Sequence, residues 1–459
     1  MGLWAVNMNN EYDLIVLGGG PGGYNAAERA SREGLKTLLI EKEQIGGVCL
    51  NQGCVPTKTL LAAVKHYQIA KNSADFGVNA EHVTLDWIRA QKRKANTISA
   101  LRSAVSAKLK KCKVHVVKAE ARFTNRSTIE ANGEQYTASR ILIATGSRSI
   151  IPPIPVSDSP ALLTSREILN ISQVPKSLVV IGGGVIGLEF ASLFSTLGVR
   201  VSVVEMLPEI AGSLDGDIAV ALRNRLEENI DFKLDSRVEK IEGKRVFYSD
   251  ARGSDDVEGE VILMSAGRQP LVNDMGLKEI GLDVSSKGVV VNERMRTNLP
   301  GIWAVGDCTG KSLLAHSAYR MGEVAVANMM GKPDRMRYNA IPTVLYSLPE
   351  AAGVGLTEAE ALRSGRKPLI RKLPMQYSAR YLAEYGQEKG FCKMLFDARS
   401  RVLLGVHMIG GSCSEIIWGA AAMIEAEFRS DEMRELIFPH PTVSEIMRET
   451  LWEFEGINL

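Results

Sequence analysis

One unit occurs twice in this chain, and that repetition limits its fold more than any other feature. Residues 13–41 read DLIVLGGGPGGYNAAERASREGLKTLLIE, and residues 177–205 read SLVVIGGGVIGLEFASLFSTLGVRVSVVE. In each, a short β-branched run fits a parallel strand buried on both faces. A glycine cluster follows, then a helical stretch of small and apolar residues punctuated by Gly34 or Gly198. A second β-rich run ends in an acid, Glu41 or Glu205. Two parallel strands joined by a crossover helix are the unit of a doubly wound sheet.

The glycines at matching places are Gly18, Gly20 and Gly23, and Gly182, Gly184 and Gly187. The first makes a tight turn, the second lets backbone approach a pyrophosphate, and the third packs helix on strand. The helix N-terminus offers free N–H groups and partial positive charge to the phosphates. Glu41 and Glu205 stand where a carboxylate holds a ribose diol. A single glycine motif is a weak signal, but here strand, glycines, helix, strand and acid recur in order. Two dinucleotide sites let one nucleotide carry electrons in and the other carry them out. Glu205 would repel a 2′-phosphate, and Met206 to Ala211 contain no base, so NAD is favoured over NADP at the second site.

Composition narrows the partners. The 459 residues include 55 Lys and Arg against 53 Asp and Glu, a formal charge of +2. That balance points to no nucleic-acid or membrane partner. Anionic ligands must then be held by local devices such as helix N-termini. The basic run Lys108 to Lys113 reads as a solvated helix end. No apolar run approaches the ~18 residues that span a bilayer. Gly2 to Val6 is too short for a signal-peptide core, and Met8 offers a second candidate start. The 6 cysteines are sparse, which favours a reducing, cytoplasmic setting. Cys112, Cys308, Cys392 and Cys413 stand far apart and read as small buried hydrophobes.

Cys49 and Cys54 lie in GGVCLNQGCVPTKTLL, residues 46–61. At that spacing a regular helix puts the Cα atoms roughly 8–9 Å apart, beyond the ~7 Å a disulfide tolerates. A bridge therefore requires a break in the helix, and Gly53 and Pro56 fit a distorted helix start. On spacing alone, two unrelated buried cysteines remain an equal reading. Their place directly after a nucleotide unit favours a redox pair.

From about Tyr12 to Glu449 the chain resembles the flavin-dependent pyridine nucleotide–disulfide oxidoreductases, and among them the members that oxidise dihydrolipoamide. The motifs that carry this likeness are the two glycine units, GGVCLNQGCVPTK, TNLPGIWAVGDCTG at 297–310 and FPHPTVSE at 438–445. The resemblance implies FAD at the first unit and NAD at the second. It implies a redox disulfide, with Cys49 the interchange thiol facing substrate and Cys54 the charge-transfer thiol beside the flavin. Lys58 would lie near the flavin N5 and pair with Glu189. Thr145 and Gly146 mark the family's crossing into the nicotinamide domain, and Gly267 the return. Asp307 would bind the ribityl chain. A helix starting at Leu314-Ala315-His316 would aim its N-terminus at the flavin pyrimidine, with Ala315 among the contacts. His316 by itself reads as a packed helix histidine.

His440 is flanked by prolines that fix its backbone, and Glu445 follows five residues on. Alone, that pair reads as a surface contact. The resemblance makes it a general base, its basicity raised by the carboxylate, serving the disulfide of the other subunit in a two-fold homodimer. The chain departs from the family at Phe438-Pro439, where His-Ala is usual, and at Val48 and Gln52, where threonine and valine are usual. The first departure bears on substrate contacts around the base.

The fold class expected is α/β, with two Rossmann-like dinucleotide-binding domains and a C-terminal α+β dimerisation domain. Residues 1–155 and 266–336 would form the FAD domain, 156–265 the NAD domain and 337–459 the interface domain, with strand-like FCKMLFD and VLLGVHMIG. IPPIPV at 151–156 reads as a hinge. By the resemblance, a dithiol on a lipoyl-carrier protein, or on a lipoyl domain of a 2-oxoacid dehydrogenase complex or the glycine cleavage system, is deprotonated by His440 and attacks Cys49. Electrons leave through Cys54 and FAD to NAD. No metal site is assigned. Glu205, and the lack of cysteine after Cys413, oppose NADPH-dependent sister reductases for glutathione, trypanothione or mercury. The cysteine pair opposes single-cysteine relatives and, with His440, a purely non-catalytic subunit.

Overall fold

The strand Glu11–Leu17 (β1) carries a run, Leu14 to Val16, with no exposed surface. A strand buried on both faces needs parallel neighbours with helices over them. It has them: β1 pairs in parallel with Thr37–Glu41 (β2) on one side and Glu134–Ile143 on the other. His115–Lys118 extends the sheet beyond β2, and Ile302–Ala304 pairs in parallel with Glu134–Ile143. The computed structural model describes residues 10–454, so the Met8 start lies outside the described residues. Within it the chain divides into two compact units, each described by itself.

The first unit takes the chain through Leu60, Asp86–Ile150 and Gly267–Arg337. Pro21–Arg32 (α1) is the crossover helix between β1 and β2, with proline in its first turn, where a missing N–H costs nothing. Gly47–Gln52 (α2) and Cys54–Lys71 (α3) carry the cysteine motif. Trp87–Lys111 (α4) is capped by Asp86 and ends in Lys108, Lys110 and Lys111, cations placed at the negative end of the helix dipole. This is the solvated helix end expected of that run, with Lys108 reaching Glu28 at 2.7 Å.

The second unit holds Leu61–Leu85, Ile151–Ala266 and Tyr338–Leu459. Its parallel sheet runs Ile230–Lys233, Arg200–Val204, Ser177–Ile181, Val261–Met264, Leu162–Thr164. Val185–Thr196 (α5) is the crossover helix of the second repeat, followed later by Gly216–Leu226 (α6). A five-stranded antiparallel sheet builds the C-terminal part, with Phe391–Asp397 and Leu403–Ile409 at its centre. These two strands fall on the segments read as strand-like. Residues 151–266 and 338–459 thus share one compact unit. The boundary with the first unit falls between Ile150 and Ile151, at the proline-rich segment.

Lys393, 1% exposed, bonds Asp215 at 2.7 Å, Asp217 at 2.6 Å and Glu358 at 2.7 Å. The cluster ties the start of α6 to the antiparallel sheet inside this unit.

Candidate active site

Both glycine units close in the same way. Gly18 has φ +103°, and a Cβ there would fall 2.3 Å from the Ala144 carbonyl oxygen. Gly182 has φ +105°, and its Cβ would fall 2.5 Å from the Ser265 carbonyl oxygen. Only glycine makes these turns. The third glycines pack as expected: a Cβ on Gly23 would meet the Gly18 carbonyl, and one on Gly187 the Gly182 carbonyl. The middle glycines Gly20 and Gly184 cap α1 and α5, with no side chain bonded to the first-turn N–H groups. A Cβ on Gly184 would meet nothing within 4 Å. Uncapped N–H groups behind an open glycine face suit a pyrophosphate, so the residues present fit a dinucleotide at each unit.

The two acids perform a second task that spacing did not reveal. Glu41 Oε2 accepts from the Gly19 N–H at 2.6 Å, and its Oε1 from the Glu43 N–H at 2.7 Å. Glu205 Oε2 accepts from the Gly183 N–H at 2.6 Å, and its Oε1 from the Leu207 N–H at 2.8 Å. Each carboxylate clasps its own glycine loop and keeps lone pairs for a ribose hydroxyl. Glu205 is 8% exposed, and no cation replaces it at Met206 or Leu207.

The cysteine pair sits at a helix break. α2 ends at Gln52, Gly53 leaves helical geometry at φ −145° and ψ −105°, and α3 begins at Cys54. This is the departure a bridged pair requires. Asn51 braces α2 by donating to the Gly47 carbonyl at 2.9 Å, and Arg102 donates to the Asn51 side-chain oxygen at 2.8 and 3.1 Å. Cys49 is half-buried and Cys54 exposed. Hydrogen bonding to Cys54, then burial, push the Cys49 thiol well above the usual thiol range, while Lys58 pulls it down. Cys308 and Cys392 are fully buried, with thiols raised by burial to about 11 and about 12. Cys413 is equally buried, whereas Cys112 is only half-buried.

Asp307 lies in the short helix Gly306–Thr309, and the helix Ala315–Met329 begins where expected. Burial raises the Asp307 carboxyl, against a hydrogen bond from Ser147 and the charge of Arg268. Arg268 donates to Ser147 Oγ and to the Ser147 carbonyl, both at 2.8 Å. Ser147 and the Arg268 side chain were not expected here, and no sequence spacing marks them. They meet because Ser147–Ser149 pairs antiparallel with Arg268–Pro270. Thr145 Oγ1 donates to the Leu271 carbonyl at 2.6 Å, and Gly146 accepts from the Leu271 N–H at 2.9 Å. Gly267 accepts from the Ile150 N–H at 3.0 Å. These residues bind the strands of the crossing to each other.

In the second unit Glu189 is 4% exposed and accepts from the Tyr346 N–H at 3.2 Å. His440 Nδ1 lies 2.9 Å from Glu445 Oε1, and Glu445 Oε2 accepts from the Thr442 N–H at 2.8 Å. Burial opposes ionisation of Glu445, but the bonds from Thr442 and His440 outweigh it and hold the carboxyl below its usual range. The imidazole is 73% exposed.

Two uncapped dinucleotide cradles and a thiol pair at a helix break define a nucleotide-dependent thiol–disulfide oxidoreductase. The chain matches the pyridine nucleotide-disulphide oxidoreductase family over residues 12–322 and that family's dimerisation domain over residues 341–451, and it belongs to this family. It is 36% identical to dihydrolipoyl dehydrogenase of Geobacillus stearothermophilus over 450 residues, 96% of this chain and 95% of that one. Identity to dihydrolipoyl dehydrogenase of Thermus scotoductus is 38%, covering 95% and 96%. Among solved structures it resembles LpdA from Mycobacterium tuberculosis, with TM-score 0.88 and 26% identity, covering 96% and 99%. It also resembles the HOCl-induced flavoprotein disulfide reductase of Escherichia coli, with TM-score 0.86 and 26% identity, covering 97% and 100%. Its cofactors are FAD and NAD. Among the described residues no helix is long and apolar enough to cross a membrane.

Proposed function

We propose that this chain oxidises dihydrolipoamide to lipoamide and reduces NAD to NADH. The observation that carries the reading is the Cys49–Cys54 pair, set at a helix break directly after a dinucleotide cradle. The relatives named dihydrolipoyl dehydrogenase support it over nearly the whole chain. Residues 1–155 and 266–336 form the FAD domain in this reading, 156–265 the NAD domain and 337–459 the homodimer interface. The substrate dithiol arrives on a lipoyl carrier or lipoyl domain in the cytoplasm. FAD, when bound, supplies two-electron transfer between the thiol pair and the nicotinamide.

The chain's own residues do the rest. Glu445 fixes the His440 ring through Nδ1, so Nε2 takes the proton of the substrate thiol, which lies in the other subunit's site. The substrate thiolate attacks Cys49 of the oxidised Cys49–Cys54 disulfide, the S–S bond breaks with Cys54 leaving as a thiolate, and the second substrate thiol then resolves the mixed disulfide by releasing Cys49 as a thiolate. Lys58 adds positive charge beside the pair. Asp307, Thr145, Gly146, Gly267 and Ala315 line the flavin, and Glu41 and Glu205 hold the two riboses.

A second reading, reduction of a small disulfide by NADH, draws support from Phe438-Pro439 beside His440. Steady-state turnover decides between them. Dihydrolipoamide with NAD should be used at least tenfold better than NADH with glutathione disulfide, and the reverse order would refute the proposal.

A further inference from the structure

One helix of the first unit carries charge that the mechanism leaves idle. α4 holds eight Lys and Arg and no Asp or Glu in its 25 residues. The whole chain is +2, so everything outside this helix sums to −6. Three of the eight cations are turned to the protein: Lys94 is 5% exposed, Arg102 is bonded to Asn51 and Lys108 to Glu28. The other five, Arg89, Lys92, Arg93, Lys110 and Lys111, are exposed, and among the described residues none of them meets a carboxylate. At 3.6 residues per turn these five fall on the side opposite the buried Trp87, Ala90 and Leu109. They form a group at each end of the helix, roughly 25–30 Å apart. That separation is comparable to the width of a folded domain of about 100 residues, whose radius of gyration is about 13 Å.

Two further observations give this face a purpose. A cavity of about 410 Å³ opens beside the C-terminal group, and its lining joins apolar Ile45, Leu109 and Val116 to Lys110, Lys113 and His115. An apolar socket among cations suits an apolar anchor side chain flanked by carboxylates. The middle of α4 is also fastened to the cysteine helix, because Arg102 donates to Asn51, which stands between Cys49 and Cys54. Lys92 and Lys110 lie roughly 15 and 12 Å along the axis from Arg102. A partner resting on α4 is therefore held beside the thiol pair.

We propose that the outer face of α4, with the socket at its C-terminal end, docks an acidic face of the protein domain that carries the substrate dithiol. The identity of the cargo rests on the dihydrolipoamide reading above. The sign of the face requires an acidic partner, and the net-negative remainder of the chain repels such a partner elsewhere, so its approach is steered to α4. Between the two groups the outer face is Asn96, Ser99, Ala100, Ser103, Ala104 and Ala107, with no bulky apolar side chain to enter a membrane. A long nucleic acid would run past the helix onto the net-negative remainder.

The test uses the full-length flavin-loaded enzyme with NAD in excess and two substrates: uncharged free dihydrolipoamide, and a dihydrolipoyl domain of net negative charge. One variant pairs Lys92→Glu with Arg93→Glu, and the other pairs Lys110→Glu with Lys111→Glu. At about 10 mM salt, where charges act over about 30 Å, each pair should lower kcat/KM for the domain about tenfold through KM and leave free dihydrolipoamide within about twofold. At about 0.15 M salt the gap between wild type and variants should narrow. Flavin absorbance and melting temperature report on folding, and the corresponding Gln pairs, with a smaller loss of the same sign, replace any Glu pair that fails to fold. A kcat/KM for the domain unchanged in both pairs overturns the inference and leaves the dithiol reading standing. Equal losses with both substrates overturn it as well, since docking acts on the domain alone. Tighter retention of the enzyme by anionic vesicles or duplex DNA than by the domain, at about 0.15 M salt, also overturns it. A wild-type enzyme that oxidises neither substrate overturns the dithiol reading and the inference together.

Discussion

Glu205 gives the sharpest test of how the second nucleotide site is built. Its carboxylate is 8% exposed and accepts two backbone N–H groups, from Gly183 at 2.6 Å and Leu207 at 2.8 Å. Hydrogen bonds to an ionised acceptor contribute about 1.5–3 kcal/mol each. Glu205→Ala removes both acceptors, so about 3–6 kcal/mol of loop organisation is at stake, some of it recovered by water entering the gap. If about half of this is felt at the bound nucleotide, KM for NAD rises on the order of 100-fold. Glu205→Gln keeps one carbonyl oxygen but turns an NH2 toward the other N–H, so its loss should be intermediate. The assay is steady-state kinetics with NAD varied and dihydrolipoamide saturating, paired with direct NAD titration by calorimetry. Flavin content should not change in either variant, because Glu41 clasps the first loop independently. A KM for NAD within about threefold of wild type in Glu205→Ala would refute the argument, since a buried donor at Gly183 and a part-buried one at Leu207 cannot both lose a charged acceptor at so little cost.

Three further outcomes follow from the same geometry. Cys49→Ser and Cys54→Ser should each abolish dithiol turnover while the flavin stays bound, and full dihydrolipoamide activity in Cys49→Ser refutes the thiol assignment. Lys393→Met strands Asp215, which is 1% exposed, and should cost about 3–5 kcal/mol in guanidinium unfolding, as broken buried pairs do. The pH dependence of that loss has a fixed sign. Burial opposes ionisation of Asp215, but its bonds from Lys393 and the Glu358 N–H hold the carboxyl below its usual range. Its contribution is therefore present above the unfolded carboxylate pKa of about 4 and is lost as pH falls through the lower folded value. The gap between wild type and variant should close in that acid window, and a gap unchanged there refutes the pairing. Finally, Glu445→Ala should lower kcat for dihydrolipoamide by about 10²-fold, the scale of general-base catalysis, while NADH oxidation by an artificial dye stays near wild type. Equal loss in both assays would place Glu445 in folding rather than in proton transfer.

What was legible in the sequence was whatever physics makes local. A strand buried on both faces must read as a continuous apolar run, so β1 and Ser177–Ile181 announced themselves. A turn that only glycine can make must show glycine, so Gly18 and Gly182 stood out before any φ angle was known. The cysteine spacing was local in the same sense: five residues on a regular helix are too far apart to bridge, and the break at Gly53 supplies the needed departure. The groups that escaped are those whose partners come from remote segments. Ser147 and Arg268 meet across a strand pair, Lys393 gathers acids from two helices, and Tyr24 finds Tyr319 on another helix. None has a spacing to betray it, because a side chain's partner across space leaves no period along the chain. The acids Glu41 and Glu205 fall between these cases. Their position signalled a ribose, but the bond each sends back to its own glycine loop depends on the strand having already delivered the carboxylate there. The clasp makes each loop's shape depend on the acid proposed to hold the ribose, so in that reading nucleotide binding and loop geometry rise or fall together at both sites.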